Sequence, residues 1–162
     1  MTKLTDPATV PNGAPVNLSD GVGLRSQTGG SVAFGVREFR GRRVVFVEVA
    51  GENRGALRPA DGENLAIAAR TAREKRIPLV CFMASSGAAI DEGVGAVHGW
   101  GTAAREFVAC SGIVPIVFSV TGPTVSGPAL LLGLADLVVM VDETYAFVSG
   151  TQMVRQLTGE EI

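Results

Sequence analysis

The sequence predicts an α/β fold, a mostly parallel sheet with helices packed on its faces. Three observations carry that expectation. Short apolar runs rich in β-branched residues alternate with longer segments of helical period, the pattern of strand–helix–strand crossovers. Two of those runs, "LVCFMA" (79–84) and "VPIVFSV" (114–120), are apolar almost throughout, as in strands covered on both faces. Glycine and proline punctuate most changes of period.

The elements follow in order. "SVAFGVREF" (31–39) and "RRVVFVEVA" (42–50) are β-rich runs joined at Arg40-Gly41, a hairpin at the start of the sheet. A loop, "GENRGALRPADG", leads to "ENLAIAARTAREKR" (63–76), whose Leu65, Ile67, Ala68 and Ala72 share a helical face opposite Arg70, Arg73, Glu74 and Lys75. Pro78 marks the exit into the strand at 79–84. From 88 to 109, Ile90, Val94, Val97, Gly101, Ala104 and Val108 recur at spacings of four and three, which predicts an amphipathic helix buried along that stripe. The strand at 114–120 is followed by a turn, a short apolar helix at 126–135 and a closing strand, "DLVVMVD" (136–142). The last residues, "TQMVRQLTGEEI", open a helix with no capping glycine expected, so the domain reads as truncated at its C-terminal end.

Composition narrows the function. At 162 residues the chain suits one domain, long enough to bury roughly 70% of its unfolded surface. A net charge of −2 gives no basic surface for nucleic acid or an anionic membrane. Residues 1–28, rich in Pro, Gly, Asn, Asp and Thr and without a signal-peptide core, read as a disordered leader before a domain at 29–162, in a cytoplasmic protein. The uncharged stretch 111–135 is long enough to span a membrane, but Pro115, Pro123 and Pro128 break it into a strand, a turn and a helix. Cys81 and Cys110, each among apolar residues, read as buried thiols, and no pattern predicts a metal site.

Ligands of open α/β sheets gather beyond the carboxyl ends of the strands, here the turns at 84–89 and 121–128. Both are built of small residues, "SSGAA" and "TGPTVSGPA". Small side chains let a ligand reach the backbone, and two unpaired N–H groups aimed at one point could hold a thioester oxygen as it becomes an enolate. The same glycines could instead serve only tight helix–sheet packing. His98, flanked at seven residues either side by Asp91 and Arg105, reads as a solvated helix edge. Ser126 with His98 as nucleophile and base lacks a G-x-S-x-G elbow and an acid partner. Asp91-Glu92 suits a helix's first turn, and Trp100 with Phe107 a packing or subunit edge.

The segment 78–162 resembles the N-terminal half of the biotin-dependent acyl-CoA carboxyltransferases, the β-type subunits of propionyl-CoA and acetyl-CoA carboxylases. "SSGAAIDEGV" is similar to the family's S-G-G-A-R-I-Q-E-G-V, "TGPTVSGPALLLGLADLVVMV" to its G-P-x-x-G-G-A stretch with an apolar strand, and "FVSGTQMVRQLTGEEI" to its F-(I/V)-x-G-P-x-V motif with T-G-E-(E/D)-V. The family's G-G-S turn is replaced by "NRGALRPADGEN". The resemblance implies a crotonase-like ββα superhelix and an oxyanion site carried by Ser86, Gly87, Ala88, Ser126 and Gly127. Ser86 and Ser126 stand where the family has glycine, and Ala89 where it has arginine.

It further implies acyl-CoA as substrate, carboxybiotin on a separate carrier as carboxyl donor, and a biotin carboxylase. A C-terminal carboxyltransferase domain or subunit completes the site in a homo- or hetero-oligomer. In the family the biotin nitrogen is thought to take the α-proton, so no protein base is required. Two other readings stay open: a truncated, non-catalytic structural partner, and a biotin-independent decarboxylase acting on malonyl or methylmalonyl thioesters.

Overall fold

The computed structural model describes residues 30–50 and 52–161. The expected leader at 1–28 lies outside them. Strands β1 (Val32–Phe39) and β2 (Arg42–Val49) pair antiparallel through a two-residue turn. Arg40 and Gly41 have φ of 51° and 76°, both positive as the tightest hairpins require. β3 (Leu79–Ser85), β4 (Ile116–Val125) and β5 (Leu137–Met140) then add in parallel, giving the order β1-β2-β3-β4-β5, and the two-residue β6 (Ala146–Phe147) pairs with the far end of β4.

One turn of helix, α1 (Glu52–Gly55), precedes α2 (Pro59–Lys75). α2 begins four residues before the expected 63, for reasons the local pattern does not show. Pro59 occupies its first turn, where a missing N–H costs nothing. Asp61, buried, accepts the Arg58 N–H on Oδ2 and the Val32 N–H on Oδ1, both at 3.0 Å, tying the helix start to β1. The helix ends as expected, in left-handed Arg76 just before Pro78.

α3 (Val94–Cys110), preceded by a 3-10 turn at Ile90–Glu92, buries the opposite face from the one expected. Ile90 is 94% exposed, Val94 84%, Val97 60% and Val108 57%. Ala96, Gly99, Ala103, Phe107 and Cys110 are buried instead. The reason is proximity: a methyl group added at Gly62 would collide with the Gly99 carbonyl group, and one at Gly99 would come within 2.8 Å of the Pro59 carbonyl oxygen. Two helices this close can meet only across small side chains, so the bulky aliphatic stripe faces outward. Glu106, nearly buried at the same interface, receives Arg70 and Arg73 at 3.3 Å each.

The core lies between these helices and one face of the sheet: Val45, Val47, Leu79, Cys81, Met83, Ile116 and Phe118 meet Leu65, Ala68, Ala72, Ala103 and Phe107. β3 was expected to be covered on both faces. Its odd positions are buried and its even positions, Val80, Phe82 and Ala84, only partly so, because both long helices pack on the same side. On that second face Phe82 meets Phe46 at 5.0 Å and the Arg37 guanidinium lies 4.1 Å from the Phe46 ring centre.

Beyond Phe118 the outcome is mixed. β4 overruns the expected strand end at 120 because Thr124 and Val125 pair with β6. The short apolar helix is present as α4 (Gly127–Leu131) with a 3-10 turn at Leu132–Leu134, and β5 is shorter than 136–142 and exposed. The terminal helix, α5 (Thr151–Thr158), does have a glycine cap: Gly159, at φ 75°, donates to the Arg155 carbonyl at 2.9 Å. No helix among the described residues is long and apolar enough to cross a membrane.

Candidate functional site

The two small-residue turns meet. Ser85 at the end of β3 pairs in register with Thr124 of β4, and the chain then leaves the sheet on both strands side by side. Gly87, buried at φ 103°, lies so close to Ser126 that an added methyl group would sit 3.2 Å from the Ser126 Cβ. Only glycine takes that conformation without strain.

A second strand of contacts holds the first turn from behind. The Leu57 N–H donates to the Gly87 carbonyl and the Ala89 N–H to the Leu57 carbonyl, both at 2.8 Å, while the Ser86 N–H donates to the Arg54 carbonyl at 3.0 Å. The buried Ser85 hydroxyl donates to the Gly55 carbonyl at 2.7 Å and accepts the Gly87 N–H at 3.3 Å. This ladder consumes the N–H groups on either side of Ala88. Among the described residues the Ala88 N–H itself has no partner.

The second turn repeats the pattern. The Ser126 N–H donates to the Phe147 carbonyl at 2.9 Å, its carbonyl accepts the Ala129 N–H at 3.0 Å, and the N–H of Gly127 has no partner among the described residues. Ser126 joins strand to helix at φ 63°, ψ −135°, a conformation that normally belongs to glycine. Gly127 packs on Trp100 of α3, whose indole nitrogen would lie 2.6 Å from an added methyl group. Thus all five residues singled out from the sequence gather at the strand ends: Gly87 and Gly127 in close packing, Ala88 partly buried, Ser86 and Ser126 exposed.

A cavity of about 690 Å³ opens beside the turns. Ala50, Ala84, Pro123 and Val125 give it apolar walls, Tyr145 and Phe147 stack at 5.3 Å along one side, and Arg54 and Ser86 bring polar groups. Sequence reasoning missed Arg54, Tyr145 and Phe147. The signal for Arg54 was the replaced glycine turn; the aromatics become neighbours of the site only through the pairing of β6 with β4.

The remaining candidates lie elsewhere. His98 is exposed on α3, two positions from Trp100 and so about 200° around the helix from the Gly127 contact. Asp91 and Glu92 sit in the 3-10 turn and reach Arg58 at 4.0 and 3.9 Å. Phe107 is core, 5.9 Å from Phe118. Ala89, where the family has arginine, is buried. Burial pushes both the Cys81 and Cys110 thiols above the ordinary range, and the Cys110 thiol donates to the Ala69 carbonyl. Neither is a nucleophile in this environment. Among the described residues no group of acidic, histidine or cysteine side chains could hold a metal.

A family profile described as the carboxyl transferase domain matches residues 17–162. The chain belongs to that family. The propionyl-CoA carboxylase beta chain of Rhodococcus erythropolis is 32% identical over 162 residues, the whole of this chain and 32% of that protein. The methylmalonyl-CoA decarboxylase subunit alpha of Propionigenium modestum is 33% identical over 109 residues, 67% of this chain and 21% of that one. Among solved structures, the transcarboxylase 12S subunit with hydrolysed methylmalonyl-coenzyme A superposes with a TM-score of 0.73 at 26% identity, covering 82% of this chain and 26% of that one. The crotonase-like α/β fold and the carboxyltransferase family are therefore shown. The chain spans about a third of the length of the Rhodococcus relative.

Proposed function

We propose that this chain is the acyl-CoA-binding half of a carboxyltransferase that moves a carboxyl group from carboxybiotin to the α-carbon of a short acyl-CoA. The observation that carries the reading is the convergence of two turns whose Ala88 and Gly127 N–H groups lack partners among the described residues, in a member of the carboxyl transferase domain family. These N–H groups hold the thioester oxygen and stabilise the negative charge that gathers there when the α-proton leaves. One such preorganised donor is worth about 3 to 4 kcal/mol in related chemistry. Ser86, Gly87 and Ser126 shape the site, and the apolar cavity walls exclude water from the reacting carbon.

Biotin, borne on a separate carrier, supplies the carboxyl group when it is delivered. The cavity is partly open to solvent, which suits a donor arriving from another chain. The partly exposed second face of the sheet and the exposed stripe of α3 give the partner carboxyltransferase domain or subunit apolar surfaces to meet. The chain acts in the cytoplasm within an oligomer that includes a biotin carboxylase.

One observation favours a second reading, a decarboxylase of the same superfamily: the identity shared with the methylmalonyl-CoA decarboxylase subunit. Calorimetric titration of the full chain with propionyl-CoA and acetyl-CoA tests the common core of both readings, and failure to bind either refutes it. Carboxyl transfer to the bound acyl-CoA that requires a carboxylated biotin carrier selects the first reading. Loss of carbon dioxide from methylmalonyl-CoA without biotin selects the second.

A further inference from the structure

We propose that Arg54 makes the site selective for the carboxylated thioester, by pairing with the carboxylate that an acyl-CoA carries on its α-carbon after transfer. This inference rests on the acyl-CoA reading above and extends it to the form of the substrate the site prefers.

Three observations converge on Arg54. Among the described residues it is the one charged residue lining the cavity beside the two turns, whose other walls are small, apolar or aromatic. Its backbone carbonyl accepts the Ser86 N–H at 3.0 Å, so it is anchored directly to the turn that bears the Ala88 donor. Among the described residues its guanidinium has no ion-pair partner, a state it shares with Arg42, Arg43 and Arg76, but none of those lines the cavity.

Its backbone is also held where an arginine is costly. Arg54 has φ 57° and is followed by Gly55 at φ 70°, which is pressed against the Ala84 carbonyl of β3. A side chain in the left-handed region costs about 1 kcal/mol relative to glycine, and Arg54 lies in the segment that stands in place of the family's G-G-S turn. An arginine kept there at that cost points to a task for its side chain.

The chemistry fits one ligand class. The cavity is lined by Ser86 and Val125, each two residues from one of the Ala88 and Gly127 donors, and would receive the α-carbon of a thioester whose oxygen those donors hold. Carboxyl transfer turns one α-hydrogen into a carboxylate, and a planar guanidinium in an apolar cavity recognises a carboxylate through two parallel hydrogen bonds. The same contact opposes loss of carbon dioxide, because decarboxylation must give up the ion pair. The inference therefore also weighs against the decarboxylase reading. A phosphate of coenzyme A is the other anion Arg54 could meet, and it is common to carboxylated and uncarboxylated thioesters alike.

The test is titration of the full chain with methylmalonyl-CoA and propionyl-CoA, in the original sequence and in Arg54→Met. The expected result is a preference of about tenfold for methylmalonyl-CoA, the scale of one charge-assisted contact, abolished in Arg54→Met with propionyl-CoA affinity unchanged. Arg54→Gly, which relieves the positive φ and so does not endanger folding, gives the same loss. Equal affinity of the original chain for both thioesters overturns the inference and leaves the acyl-CoA reading standing. An equal loss for both ligands in the variants also overturns it, by assigning Arg54 to a phosphate. Binding of neither ligand overturns both readings together.

Discussion

Replacing Gly127 by alanine puts one methyl group where the structure has no room for it. The added Cβ would lie 2.6, 2.8 and 2.9 Å from Nε1, Cε2 and Cδ1 of Trp100. Ordinary contact needs about 3.5 to 4.0 Å, so indole and turn must separate by roughly 1 Å. The indole has little freedom to yield, because α3 is pinned one residue earlier, where Gly99 lies against Pro59. The turn has little either, since the Ser126 N–H is tied to the Phe147 carbonyl and Pro128 fixes the following backbone. Overpacking of this kind costs about 1 to 3 kcal/mol, which lowers the urea midpoint by about 1 M for an m-value near 2 kcal/mol/M. Part of the displacement falls on the Gly127 N–H, and a 1 Å error at a reacting centre costs on the order of 100-fold in rate. Urea unfolding and acyl-CoA titration of Gly127→Ala, Trp100→Ala and the double variant provide the assay. The double variant is expected to regain acyl-CoA affinity over Gly127→Ala, with a coupling of about 1 to 2 kcal/mol in stability. Stability losses that simply add, or a Gly127→Ala chain as stable and as competent as the original, refute the reasoning.

Other outcomes follow from named contacts. Ser126→Gly relieves a positive φ and is expected to stabilise the chain by about 1 kcal/mol, read as a rise of a few degrees in Tm. Gly87→Val, forcing a branched side chain into φ 103° against Ser126, is expected to cost about 3 kcal/mol and abolish acyl-CoA binding in the same titration. Val94→Glu, at an exposed helix position, is expected to change stability by less than about 0.5 kcal/mol while weakening association with a partner domain in analytical ultracentrifugation. The buried thiols set an alkaline limit. Their folded-state pKa lies above the unfolded value, so the native chain holds its protons where the unfolded chain loses them. Stability is then flat below about pH 8 and falls as the pH climbs past the ordinary thiol range near 8.5. Cys81→Ala/Cys110→Ala, followed by chemical unfolding between pH 7 and 10, removes that fall.

The parts of the fold carried by local chemistry were legible in the sequence. Arg40-Gly41 announces a hairpin, Pro78 an exit from a helix, and the small residues at 84–89 a turn able to approach a ligand. What depends on distant partners was not. The start of α2 is set by an Asp61 carboxylate shared with β1, and the length of β4 by its late pairing with β6. α3 shows the limit most sharply. Its sequence carries two periodic stripes, one of bulky aliphatics and one of Ala96, Gly99, Ala103 and Cys110, and hydrophobicity favours the first. The fold chose the second because a glycine contact with α2 decides the spacing. At the site, the five residues named from the sequence do come together, whereas Arg54 joins them through the backbone bond from Ser86, and the Tyr145–Phe147 pair through the pairing of β6 with β4.

The two oxygens of Asp61 have one more consequence. Because a single carboxylate receives both the Val32 amide of the first strand and the Arg58 amide at the mouth of the helix, neither proton can exchange with solvent unless its segment lets go of the same side chain. In amide hydrogen exchange the two sites should open as one unit. The Val32 amide thus becomes a built-in clock for the docking of the second helix, readable without any ligand or partner.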